Sequence, residues 1–207
     1  KSHSLSEFKM AMMHFDQELF FRTYNWLMAE KSFQEIFHEV FIPLMQELGM
    51  LWQTDTISPA YEHFITFLIK QKLLIQTEQL QVLKPTKTDK VFVLSLPMNE
   101  IHELGLMYLN YEILSKGYKT IYLGESMPID NLKDLKKHFD SIVFVSYLTV
   151  QPDKESVNEY VNQMKQELED ETTQLWYIGR MIEHIDTTIL SDSMSVFDSI
   201  ESLVEAI

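Results

Sequence analysis

From residue 5 to about residue 82, apolar side chains recur every three or four positions, as at Phe33, Ile36, Phe37, Val40, Phe41, Leu44, Met45 and Leu48, with hardly a helix breaker among them. That spacing puts the apolar residues on one face of a helix, so this half reads as about four helices packed on one another. The third is expected to run from Ser32, as N-cap, to Trp52. The fourth starts at Ser58, with Pro59 at its first position, and continues to about Leu80. TDTI, 54–57, is the turn between them.

After a polar stretch containing Pro85, the period changes. VFVLSL (91–96), TIYLG (120–124), SIVFVSY (141–147) and QLWYIG (174–179) are short, rich in β-formers and apolar on both faces, as buried parallel strands should be. TTILSD (187–192) reads as a weaker fifth strand. Amphipathic helices are expected at about 103–116, 130–138, 154–170 and 195–206. The alternation predicts a Rossmann-like, flavodoxin-like sheet of five parallel strands. The expected organisation is a four-helix bundle over 1–82, a linker at 83–89 and an α/β domain over 90–207. Of the five glycines, Gly105 opens a helix, Gly117 ends one, and Gly124 and Gly179 stand at the carboxyl ends of strands, the edge where such sheets bind ligands.

Composition narrows the chemistry. Seventeen basic against 31 acidic residues give a net charge of -14, which repels a phosphate backbone. The absence of cysteine removes disulfides, zinc–thiolate sites and thiol catalysis, and a cytoplasmic location is the simplest reading. No apolar run approaches the roughly 18 to 20 residues that span a bilayer, so no membrane association is expected.

The stretch NEIHELG, 99–105, lies just beyond the first strand, and His102 should therefore project from the ligand-binding edge. A neutral imidazole there offers a lone pair to a metal, and Glu100 is placed to hold its other nitrogen. His102 taken alone is equally an exposed loop histidine. His38-Glu39 and His102-Glu103 are not zinc-protease motifs, because Ile42 and Leu106 occupy the fourth position after each histidine. A single glycine after the first strand is too few for a dinucleotide or P-loop fingerprint. In the helical half, Trp52 ends one helix and Glu62-His63 open the next, so they could cap a large flat ligand or be a core indole beside a solvated first turn. No paired nucleophile and base is visible, and a self-contained enzyme is not expected.

Trp52, nine intervening residues, Glu62-His63, and then Glu100-Ile101-His102-Glu103-Leu104-Gly105 after a linker and a strand resemble the cobalamin-binding half of light-responsive regulators of the MerR type. The resemblance covers almost the whole chain. It implies a four-helix cap and a Rossmann-like module holding adenosylcobalamin between them, with His102 as lower cobalt ligand. In the wider cobalamin-binding fold the loop reads Asp-x-His-x-x-Gly, so His102 and Gly105 match and Glu100 replaces the aspartate. Ser146 and Thr149 match the serine and threonine that line the slot for the cofactor's nucleotide tail, and Trp52, Glu62 and His63 match residues covering the upper face.

Two positions depart from the pattern. Gly179-Arg180 stands where the family has Gly-Gly against the tail, and an arginine pointing inward would obstruct it. Gln53 stands where some photoreceptors carry a second histidine for the upper position after light has removed the adenosyl group. The resemblance also implies a homo-oligomer, dimer or tetramer, a possible protein antagonist, and DNA binding through an N-terminal helix-turn-helix domain preceding this chain. Two alternatives share the architecture: a cobalamin-independent interaction module, favoured by Arg180, and a corrinoid carrier subunit of a methyltransferase.

Overall fold

Helices α1 (Ser2–Met13) and α2 (Gln17–Met28) meet at a tight turn in which Phe15 takes φ 51° and Asp16 caps α2 by accepting from the Leu19 N–H at 2.9 Å. Ser32 caps α3 (Phe33–Ile36) in a reciprocal box with Glu35. The expected continuous helix from Ser32 to Trp52 is interrupted by a π-turn at Phe37–Phe41 before α4 (Ile42–Gln53). Pro43 explains the widening. It has no N–H, and in a regular α-helix its ring would strike the carbonyl four residues back, whereas here the Ile42 N–H reaches back five residues to Phe37 O. Helix α5 (Pro59–Gln81) follows. In this unit the rings of Phe8, Phe20, Tyr24 and Phe41 form a fully buried cluster, with Phe8 lying 5.1 Å from Phe20 and 5.4 Å from Phe41.

The computed structural model describes residues 2–207, which divide into one unit ending at Gln76 and a second spanning Thr77–Ile207. The second contains β1 (Lys87–Ser95), α6 (Leu104–Ser115), β2 (Tyr118–Gly124), α7 (Ile129–Leu132), β3 (Ile142–Tyr147), α8 (Val157–Leu168), β4 (Thr173–Ile178), β5 (Met194–Phe197) and α9 (Ile200–Glu205). All strand pairs are parallel, in the order β2-β1-β3-β4-β5. The chain direction across the sheet reverses between β1 and β3, and such a switch point leaves a crevice at the strands' carboxyl ends. Alternate residues serve the two faces. Phe92, Leu94, Val143 and Val145 pack with Leu109 and Leu203 of α6 and α9, while Val93, Phe144 and Leu175 pack with Leu132 and Val161 of α7 and α8.

Two expectations are corrected. Residues 87–89, expected in the linker, open β1 instead, next to the point where the Thr86 and Lys87 N–H groups both donate to Gly117 O at 3.0 Å. The fifth strand lies not at 187–192 but at Met194–Phe197, inside the expected last helix, where it pairs with β4 from Leu175↔Met194 to Ile178↔Phe197. Residues 187–189 instead form a 3₁₀ turn, because the Asp186 carboxylate takes both the backbone N–H and the hydroxyl of Thr188. The last helix starts only at Ile200, capped by a Ser199–Ser202 box.

Candidate functional site

The loop after β1 carries Glu100 and His102 to the switch point. Glu100 is 1% exposed, and its two oxygens divide their work. Oε1 accepts from the N–H groups of Thr149 at 2.9 Å and Val150 at 2.7 Å, with Gln151 more distant at 3.4 Å, and so ties the loop after β1 to the loop after β3. Oε2 accepts from the Ile101 N–H at 3.1 Å and from His102 Nδ1 at 3.0 Å. Burial disfavours the charged form of Glu100, but the bonds from Val150, His102 and Gln151 outweigh it and hold its carboxyl below the usual range.

A carboxylate only accepts, so His102 Nδ1 is the donor and the neutral ring carries its lone pair on Nε2. The His102 side chain is 56% exposed, so its ring is accessible while its orientation is set by a buried partner. Among the described residues no group of three or more His, Asp or Glu side chains could hold a metal ion. The oriented imidazole can offer one nitrogen ligand, Nε2, to a metal.

The other expected positions are distributed as follows. Gly105 lies in the first turn of α6, where an added Cβ would stand 2.7 Å from the Tyr147 ring. Ser146, fully buried at the end of β3, faces the Tyr160 hydroxyl at 3.3 Å, and burial pushes the Tyr160 phenol up to about 12. Thr149 contributes its backbone N–H to Glu100. Gly179 has φ 113° and lies against the backbone of Leu148, whose oxygen would be 2.5 Å from an added Cβ. Arg180 is exposed and begins a 3₁₀ turn.

In the helical unit, Trp52, the penultimate residue of α4, is 45% exposed, and Gln53, its last, is exposed as well. Glu62 in the first turn of α5 accepts from the Thr66 hydroxyl at 2.8 Å and lies 3.4 Å from His63 Nε2. Trp52 makes no ring contact or hydrogen bond with either among the described residues. The sequence reading brought Glu100 and His102 together correctly. It missed Tyr147, whose aromatic ring at the end of β3 is the signal that marked it, and Tyr160 in the first turn of α8, and it missed the backbone of 149–151 as the partner of Glu100, a pairing 49 to 51 residues apart that no local pattern announces. A cavity of about 360 Å³ opens beside these loops, lined by Pro97, Met127, Gln151, Ser156, Glu159 and Tyr160 among others.

Comparisons with known proteins agree with this architecture. Residues 5–75 match the family model of the B12 binding domain. Over 139 residues, 67% of this chain and 42% of the relative, the sequence is 24% identical to the HTH-type transcriptional repressor CarH of Myxococcus xanthus. The chain thus spans less than half the length of that curated relative. The Methanosarcina barkeri monomethylamine corrinoid protein has the same fold, with a TM-score of 0.76 and 11% identity over 99% of this chain and 97% of that one. A cobalamin-binding protein from Desulfitobacterium hafniense DCB-2 aligns with a TM-score of 0.48 and 17% identity over 98% of this chain and 96% of that one. The family match and the similarity to the repressor bear out the resemblance to cobalamin-binding regulators. No helix among the described residues is long and apolar enough to cross a membrane.

Proposed function

We infer that this chain, whose residues 5–75 match the B12 binding domain model, is the ligand-sensing module of a transcriptional regulator, that adenosylcobalamin is its ligand, and that it has no catalytic turnover of its own. The observation that carries the reading is the His102–Glu100 pair: an accessible imidazole whose Nδ1 is fixed by a buried carboxylate, with Nε2 left to ligate. Similarity to a transcriptional repressor favours a sensor over a methyltransferase carrier, since likeness to the corrinoid protein at 11% identity concerns the fold alone.

In this reading His102 would ligate the cobalt through Nε2 and Glu100 would orient its ring. Trp52, Glu62 and His63 serve the upper side, and Gly105, Ser146, Thr149 and Gly179 serve the nucleotide tail. When bound, adenosylcobalamin supplies a cobalt–carbon bond that visible light breaks. The chain's part is to favour one conformation while the upper group is present and another when it is gone, because a ligand shifts an equilibrium only by its differential affinity for the two states. The output is a change of homo-oligomer, dimer or tetramer, which would govern a helix-turn-helix DNA-binding segment of the parent protein in the cytoplasm. A protein antagonist could read the same change.

The test mixes the pure chain with adenosylcobalamin in the dark and records the visible spectrum and elution volume before and after green light. Binding is expected to perturb the spectrum through the new lower ligand, and illumination to change the elution volume. Replacing His102 with alanine should abolish the spectral perturbation. A spectrum identical to that of free cofactor in dark and light would sink the reading.

A further inference from the structure

The residues that the cobalamin reading assigns to the nucleotide tail already face protein. Ser146 Oγ is engaged with Tyr160, and the Thr149 N–H with Glu100. The free side of Gly179 is filled by the Leu148 backbone, and the free side of Gly105 by the ring of Tyr147. The cavity of about 360 Å³ includes none of these four residues; it lies on the α7 and α8 side, where Tyr160 packs. On the opposite face, Tyr147 packs against the buried cluster that includes Leu106 and Leu109 of α6 and Leu203 of α9. The space beside Gly105 is therefore closed by one side chain.

Of the two groups that face the glycines, Tyr147 alone can yield cheaply. Leu148 contributes main chain fixed in the sheet's hydrogen bonding, since its N–H donates to Ile178 O at 2.7 Å and its carbonyl accepts from the Met181 N–H at 2.9 Å. Tyr147 contributes the far end of a side chain that is only partly buried, and its hydroxyl makes no hydrogen bond among the described residues. Packing holds the ring, and a rotamer change would release it. Gly105 does not have the positive φ that demands a glycine, so close approach of the ring is the reason visible here for the missing side chain.

We propose that Tyr147 is a specificity-determining plug, so that this chain favours corrinoids lacking a bulky lower nucleotide over complete cobalamins. The proposal rests on the cobalamin reading. A corrinoid without its own base needs His102 as lower ligand and asks for no room beside Gly105. A complete cobalamin that gives up its base to His102 must place that base somewhere, and here it must first displace a packed aromatic ring.

Adenosylcobinamide and adenosylcobalamin, which share the upper group, are titrated in the dark into the full chain and its Tyr147→Gly and Tyr147→Phe variants, followed by visible absorbance and calorimetry. The wild-type chain is expected to bind adenosylcobinamide at least tenfold tighter, about 1.4 kcal/mol. Tyr147→Gly should remove that preference by gaining affinity for adenosylcobalamin, and Tyr147→Phe should keep it, since the ring and not the hydroxyl fills the space. The wild-type ratio is independent of how well any variant folds. Equal wild-type affinity for the two compounds overturns the plug and leaves the cobalamin reading standing; failure of the wild-type chain and Tyr147→Gly to bind either compound overturns both.

Discussion

Glu100 spends one carboxylate on two loops and one imidazole. Oε1 gathers the N–H groups of residues 149–151, and Oε2 fixes His102. Glutamine at this position keeps one accepting oxygen but turns an amide N–H₂ toward groups that themselves donate. Glu100→Gln is therefore expected to cost about 1–3 kcal/mol of unfolding stability at neutral pH, because buried donors lose their partner. The sign of the pH dependence follows from the depressed carboxyl. Its stabilising contribution is complete above the unfolded value of about 4.3 and is lost as the pH falls through the lower folded value. Urea midpoints of wild type and Glu100→Gln, compared from pH 7 down to pH 3, should differ most at pH 6 to 7 and converge on acidification. A gap that widens toward acid would contradict the bonding described for Glu100.

Between strands and turns, the difference between Gly179 and Gly105 separates a fixed constraint from a soft one. At φ 113° and ψ 174° Gly179 occupies a region nearly closed to residues with a side chain, and its Cβ would run into the Leu148 main chain. Gly179→Ala should destabilise by about 3 kcal/mol or more, combining a backbone cost of roughly 1–3 kcal/mol with a steric clash the sheet cannot relieve. Gly105→Ala meets only the end of the Tyr147 ring and should cost clearly less. Equilibrium urea unfolding of both variants tests that ranking. The same level shows what the sequence made legible. Four strands stood out because they are β-rich and apolar on both faces; β1, β3 and β4 are central and buried, as at Phe92, Val93 and Leu94, and edge strand β2 keeps the run TIYLG although it is mostly only partly buried. Edge strand β5, only partly buried after Met194, has no such signature, and three of its four residues blended into the helical pattern of 195–206. Pro43 was visible in the sequence, but the π-turn that accommodates it was not, because apolar spacing tolerates one extra residue in a turn. At the site, the two-residue spacing of Glu100 and His102 was legible; Tyr147 against Gly105 depends on the packing of β3 on α6 and could not be.

For the molecule as a whole, the balance of 31 acidic against 17 basic residues, net -14, sets what the chain can touch directly. DNA affinity arises largely from cations that displace condensed counterions, and a surface of the opposite balance forfeits that gain while adding repulsion. In the proposed reading, control of transcription passes through a separate basic reader on which this chain acts by assembly or conformation. Mobility-shift measurements with duplex DNA should find no complex with the 207-residue chain at about 50 mM salt, where electrostatic binding is strong, and none at about 200 mM. The same excess of like charge strains the folded state, so raising the salt over that range should raise the melting temperature through screening of self-repulsion. A salt-sensitive DNA complex formed by this chain alone would place the reader within these residues and remove the need for a separate one. If instead DNA is retained only when a basic helix-turn-helix segment is joined to the chain, and ligand or light alters that retention, the regulatory part of the molecule lies in the coupling and the acidic surface serves to keep the sensor off the DNA it controls.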